Sequence, residues 1–353
     1  TTPPRASRRQ RQMCIRDSLI SYAVEPTVVH RSAGDGWQTY KDERPFVFNN
    51  NSTEPPPALP YLSIQKNYIG PAFRGAVIAL SVLGILSSVF FGVWTLQNTS
   101  NRIVKASQPI FLVLICIGSL FLSASIIPLS IDDEIASPRA CSISCMLVPW
   151  LYTTGFALVF AALYSKTKRV TMLLNQRSLR RVKVEAKDVM LPLIGLLFAN
   201  ILVLTLWTAI SPLKWTREFT GTVDVFDREV ESFGGCLLGA DRSFVPYIVT
   251  LLVINAAVLL FANLQAFRAR EIHTEFSESK FIGMGMASML QSWIIGIPLL
   301  FVVYGDAQAQ LLVLSCVIFA GAMAILYLIM GPKWLLRNKK HRLRKRQMGS
   351  VSG

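Results

Sequence analysis

Charge is missing from most of this sequence. Only 16% of the 353 residues are Asp, Glu, Lys or Arg, against 52% hydrophobic ones, too apolar for an ordinary soluble protein of this length. The charges gather in bunches and leave seven windows without any: 75–101, 106–131, 140–165, 189–213, 243–267, 281–305 and 307–332, each 25–27 residues long. About 20 helical residues, at roughly 1.5 Å each, cross the hydrocarbon core of a bilayer. Every window therefore holds one crossing with short uncharged margins. The chain reads as an all-α membrane protein, a seven-transmembrane helix bundle, and seven crossings put its two ends on opposite sides.

Further absences narrow the function. Acidic and basic groups inside spans mark the pathways of carriers and proton pumps, and these windows have none. A retinal protein needs a lysine within the last span, but Lys333 follows Pro332 at its end. With three histidines (His30, His273, His341), six cysteines and no paired carboxylates or nucleophile motif, nothing points to an enzyme, a metal site or a cofactor. No apolar core of a cleavable signal peptide, about 7–15 residues, occurs before residue 70. The end of the chain has no heptad pattern and is not a coiled coil.

What is present gives an orientation. Segments 102–105, 165–188, 268–280 and 333–353 together hold 21 Lys and Arg, whereas 132–139, 214–242 and Asp306 hold 5. Cytoplasmic loops keep that excess, so the N-terminus is expected outside and the C-terminus in the cytoplasm. The net charge of +15 then faces an anionic lipid surface and calls for no nucleic acid. The basic tail 336–353 reads as a lipid anchor, and its "RLRKR" also resembles an arginine-based retention signal.

Before the first window, "TTPPRASRRQRQMCIRDS" (1–18) resembles a translated sequencing adaptor and is set aside as non-native, while 19–70 reads as an extended, proline-stiffened extracellular stalk. Asn50 and Asn51 begin glycosylation triplets there; Asn98 begins one in an inner loop, where it would stay bare. Cys116 and Cys316 fall in mid-span and read as packed small apolar side chains. Cys141 and Cys145 at the head of span three, and Cys236 in the long outer loop, lie on the oxidising side, so a disulfide from the loop to one of the first two is expected.

Six stretches resemble one family: "NTSNRIVKASQP" (98–109), "CMLVPW" (145–150), "YSKTKRV" (164–170), "WTAISPLKW" (207–215), "FSESKFIGM" (276–284) and "GPKWLL" (331–336). In this order, each at a span border, they resemble the class C G-protein-coupled receptors of the metabotropic GABA-B type over about 71–335. The resemblance implies signalling to a heterotrimeric G protein without chemistry, a homo- or heterodimer partner, and contact with membrane lipid. It selects Cys145, five residues before Trp150, as the partner of Cys236. It puts an inner ionic contact on Lys166 and Glu278, with the acidic position held by Glu where Asp is more usual. G-protein-facing candidates are Arg169, Arg180, Arg181, Arg270 and Lys280. The family's ligand binds a large bilobed extracellular module, which the residues before the first span are too few to form, so either an extracellular ligand is expected to be bound by a missing upstream module or this form lacks the ligand-binding lobes. A rival reading is a non-signalling partner subunit of a receptor heterodimer, needed for trafficking or assembly. Pro149 and Pro298 are expected to bend spans three and six.

Overall fold

The computed structural model describes residues 28–30, 37–39 and 62–351, except 102–103, 106, 175–185, 225–226, 239–241, 270–277 and 304; for 28–30, 37–39, 168–174, 186–193, 268–269, 278–279 and 338–351 it describes the backbone alone. The chain divides into two compact units, Thr1–Ser63 and Ile64–Gly353. In the first, β1 (Val28–His30) pairs antiparallel with β2 (Trp37–Thr39).

The second unit is a helix bundle. Helices α1 (Pro71–Gln97), α2 (Pro109–Ala124) and α3 (Pro138–Leu174) each open on a proline. The ring fixes φ near its helical value, and the missing N–H has no intrahelical partner at that position anyway. A single turn, Ile126–Leu129, prolongs α2. Then follow α4 (Ala186–Ile210), α5 (Val245–Ala269), α6 (Glu278–Val302) and α7 (Ala307–Val351). Each falls on one charge-free window. Among the described residues, six helices are long and apolar enough to cross a membrane, and the described apolar part of α4, Ile194–Ile210, is shorter. Pro149 and Pro298 lie inside α3 and α6 without ending either helix.

Packing explains the arrangement. Helix α3 lies against α2, α4, α5 and α6, while α7 lies against α1, α2 and α6. Close approach is possible where side chains are absent: a Cβ on Gly155 would stand 2.7 Å from the carbonyl oxygen of Gly118, and one on Gly118 would stand 2.8 Å from that of Gly155. Small residues at a helix crossing let backbones meet in this way where no water-driven force joins the helices. The centre is aromatic. Phe156 stacks on Phe160 at 4.3 Å and lies tilted against Trp293 at 5.2 Å, and the Trp293 indole donates to Tyr152 Oη at 3.0 Å, joining α3 to α6. Between α4 and α5, Asn255 Nδ2 donates to Asn200 Oδ1 at 2.8 Å and Asn200 Nδ2 returns a longer bond at 3.4 Å.

The outward surface is apolar too, with Leu86, Phe90, Phe198, Leu264 and Phe301 exposed, as a hydrocarbon surround requires. Cys116 is buried, but Cys316 is exposed on α7. The expectation that both pack inside fails for Cys316, because lipid tails are as apolar as a protein interior and a thiol rests against either.

Short strands cap the bundle, which composition did not predict. In the α4–α5 loop, β4 (Thr216–Phe219) pairs antiparallel with β5 (Glu231–Gly235), and β3 (Gln65–Asn67), just before α1, adds parallel to β5. The segment from Ile64 thus packs with the bundle's own unit.

Candidate functional site

Residue by residue, the end of the bundle that carries the α2–α3 and α4–α5 loops forms a clasp around Tyr68 and Ile69, two of the three residues that connect β3 to α1. The Ile69 N–H donates to Asp132 Oδ2 at 2.9 Å, and Arg74 Nη2, one turn into α1, donates to Asp132 Oδ1 at 2.7 Å and to Glu134 Oε2 at 3.0 Å. Asp133, next in the α2–α3 loop, turns the other way and accepts two bonds from Arg217 of β4, at 2.7 Å and 2.8 Å. The Arg217 guanidinium also lies 4.7 Å from the centre of the Tyr68 ring, and Gln308 at the start of α7 donates to the Tyr68 carbonyl at 3.0 Å. Three separate elements therefore hold one dipeptide.

The electrostatics fit paired ions. Burial raises the Asp133 carboxyl's pKa, but the hydrogen bonds and charge of Arg217 outweigh it and hold the group below the usual carboxylate range. The Asp133 hydrogen bond in turn raises Arg217 above its ordinary value, against a smaller effect of burial. Outside the clasp, half-buried Glu231 is lowered by hydrogen bonds from Asn67, Thr222 and Thr220.

Cys145 and Cys236 are bonded, with their Cα atoms 5.5 Å apart, tying the end of β5 to the head of α3. Trp215 N–H donating to Ser142 Oγ at 3.1 Å reinforces that seam. Cys141 is a buried free thiol. Beneath the disulfide lies a cavity of about 350 Å³, lined in part by Tyr152, Trp207, Asn255, Trp293 and Leu314, with both bonded cysteines in its wall. None of its lining residues is acidic, basic or histidine, so it offers shape and a few hydrogen bonds but no acid–base chemistry. The Trp207 indole N–H is buried there with no partner among the described residues. No metal-binding group of three or more His, Cys, Asp or Glu occurs among the described residues.

Comparison with known proteins decides the family. The family described as "7 transmembrane sweet-taste receptor of 3 GCPR" matches residues 68–333, from the clasp to the end of the seventh span. The chain is a class C G-protein-coupled receptor. Its curated relatives include gamma-aminobutyric acid type B receptor subunit 2 of Homo sapiens and of Rattus norvegicus, each 23% identical over 80% of this chain and 30% of the relative. Metabotropic glutamate receptor-like protein E of Dictyostelium discoideum is 22% identical over 78% of this chain and 32% of its own length. The chain thus spans about a third of the curated relatives it matches, and within the family its transmembrane domain is GABA-B-receptor-like. The receptor is a multi-pass protein of the cell membrane and belongs to a family that is not enzymatic.

At the receptor's other face, Lys166 near the end of α3 is only 6% exposed. Glu278 is the first residue of α6, but its side chain lies outside the described residues, as do those of Arg169, Arg180, Arg181 and Arg270. Lys280 is exposed. Asn50, Asn51 and residues 1–18 also lie outside the described residues. Sequence reasoning missed the whole clasp. A signal was available: Arg74 and Asp132 each border a charge-free window at the same end of the bundle, as Lys166 does at the opposite end.

Proposed function

We propose that this receptor domain carries an extracellular ligand event across the membrane to a heterotrimeric G protein. The observation that supports it best is the clasp: a displacement of the chain before α1 pulls through Ile69 and Tyr68 on both loops and on α7 at once. In this reading the clasp is extracellular and the basic segments are cytoplasmic. The ligand is bound by a module upstream of this chain, and glycans on Asn50 and Asn51 belong to the same side. The cytoplasmic surface that receives the G protein includes Arg169, Arg180, Arg181, Arg270 and Lys280.

At rest, Lys166 and Glu278 pair and hold the cytoplasmic ends of α3 and α6 together. The burial of Lys166 supports this, because a charge withdrawn from water is costly to leave alone. The test is guanine-nucleotide exchange by purified G protein with the receptor in lipid nanodiscs. Lys166→Gln or Glu278→Gln is expected to raise basal exchange, up to about tenfold for a 1.4 kcal/mol shift between two states. Lys166→Glu with Glu278→Lys is expected to restore part of the restraint. A double exchange no quieter than the two single changes together removes the pair from the mechanism.

A second reading, a non-signalling partner within a receptor heterodimer, is favoured by the relatives' names, which call them subunits. It predicts no exchange from this chain alone and recovery only with a different receptor chain in the same nanodisc.

A further inference from the structure

We infer that α1 and α7 form a binding site for one anionic phospholipid, with an acyl chain in a groove between the two helices and the phosphate at Arg337. The groove, about 500 Å³, is lined by Leu86, Ser87, Phe90, Tyr327, Trp334 and Leu335, among others. Most of its wall is hydrocarbon or ring. The Ser87 and Tyr327 hydroxyls meet each other at 3.3 Å at the end farthest from Arg337, so they satisfy one another in part and ask little of an apolar chain. Phe91, which also lines the groove, packs edge-on to Tyr327, with ring centres 5.6 Å apart.

Length and charge select the occupant. From Tyr327 to Arg337 is about 15 Å along the helix axis, ten residues at roughly 1.5 Å each. That is half of a hydrocarbon core about 30 Å thick, the depth of one leaflet. Arg337 lies one turn beyond Trp334, at the depth where headgroups begin, and its guanidinium is 5.7 Å from the centre of the Trp94 ring on α1. The groove's lining ends at Trp334 and Leu335, so the cation follows two residues beyond it on α7, and groove and cation together extend over the depth of one leaflet. Beyond it, Lys339, Lys340, Arg342, Arg344, Lys345 and Arg346 follow with no Asp or Glu before the end of the sequence, and the backbone of α7 remains helical as far as Val351. A sterol would fill the groove as well but brings no charge for Arg337, and a soluble phosphate would leave the groove unused. A phospholipid with net negative charge uses both.

The full chain in nanodiscs provides the test, using phosphatidylserine or phosphatidylcholine that carries a photoreactive diazirine near the end of one acyl chain. Peptides containing 86–91 and 327–335 are expected to be labelled about fivefold more by the serine lipid, the preference that one basic side chain near a charged surface confers. Arg337→Gln is expected to bring the two lipids close to parity and Arg337→Lys to retain most of the preference. Ser87→Trp, which fills the groove, is expected to reduce labelling by both. Equal labelling of the wild-type groove by the two lipids, or undiminished preference in Arg337→Gln, overturns the inference. So does loss of labelling on adding soluble glycerophosphoserine, which assigns the site to a free headgroup. None of these readings involves a G protein, so the outcome is independent of the proposed signalling.

Discussion

Replacing Asp132 by Ala tests whether the clasp holds the entrance to α1. The Asp132 and Arg74 side chains are 4% and 13% exposed, and Asp132 also accepts the Ile69 backbone N–H. Breaking a buried ion pair by removing one partner costs about 3–5 kcal/mol. Here Arg74 keeps Glu134, which is 44% exposed and so contributes little. A net loss of about 2–3 kcal/mol in the local opening free energy follows. It corresponds to roughly 30- to 140-fold faster exchange of the Ile69 amide. Hydrogen exchange by mass spectrometry on a peptide spanning 64–73, with the receptor in nanodiscs, reads this directly. Glu134→Gln is the control and is expected to change the rate by no more than about fivefold. If the two substitutions accelerate exchange equally, or Asp132→Ala does so by less than about threefold, the connection is held by something other than these bonds.

Non-reducing peptide mapping is expected to recover Cys145 linked to Cys236; a Cys141–Cys236 peptide refutes the pairing. Cys236→Ser removes a bond across a sequence separation of 91 residues, a loss of about 4–5 kcal/mol at most, and less if the helices within that loop stay in the membrane; thermal denaturation in nanodiscs measures it. Gly155→Ala is expected to lower thermal stability by about 1–3 kcal/mol, because its methyl group meets backbone. Gly195→Ala, with open space around it, is expected not to lower it, and equal effects would remove the crossing as the cause. The depressed Asp133 carboxyl predicts a sign for pH: its contribution is present above the unfolded value near 4 and is lost only as pH falls through the lower folded value. Exchange in β4, corrected for intrinsic rate, should therefore be flat from pH 7 to 5, and a rise within that interval contradicts the assignment.

The spans were legible in the sequence because a bilayer imposes one requirement on every crossing, and a charge-free run of 25 residues meets it in plain view. The three-stranded cap was not. The parallel pairing of Gln65–Asn67 with β5 joins positions 166 residues apart, and neither strand has an alternating apolar face to announce it. Asp132 and Asp133 show the same limit from another side. Adjacent carboxylates in a loop suggest a solvated surface, and only the arrival of Arg74 and Arg217 from opposite directions gives them separate tasks. Lys166 stood out because it ends a window; its burial became visible only with its neighbours in place.

The paired amides of Asn200 and Asn255 constrain how this sequence can vary. Each also donates to a carbonyl in its own helix, Leu196 and Leu251, so an apolar replacement at one position leaves the other with an oxygen that has lost its donor in a medium without water. Such a bond between membrane helices contributes only about 0.6 kcal/mol on average, yet the stranded partner bears the full cost of desolvation. Two simultaneous apolar replacements avoid that intermediate. Among descendants of this chain, the two positions should therefore drift together, and a lineage that changed only one would carry a compensating polar group on a third helix.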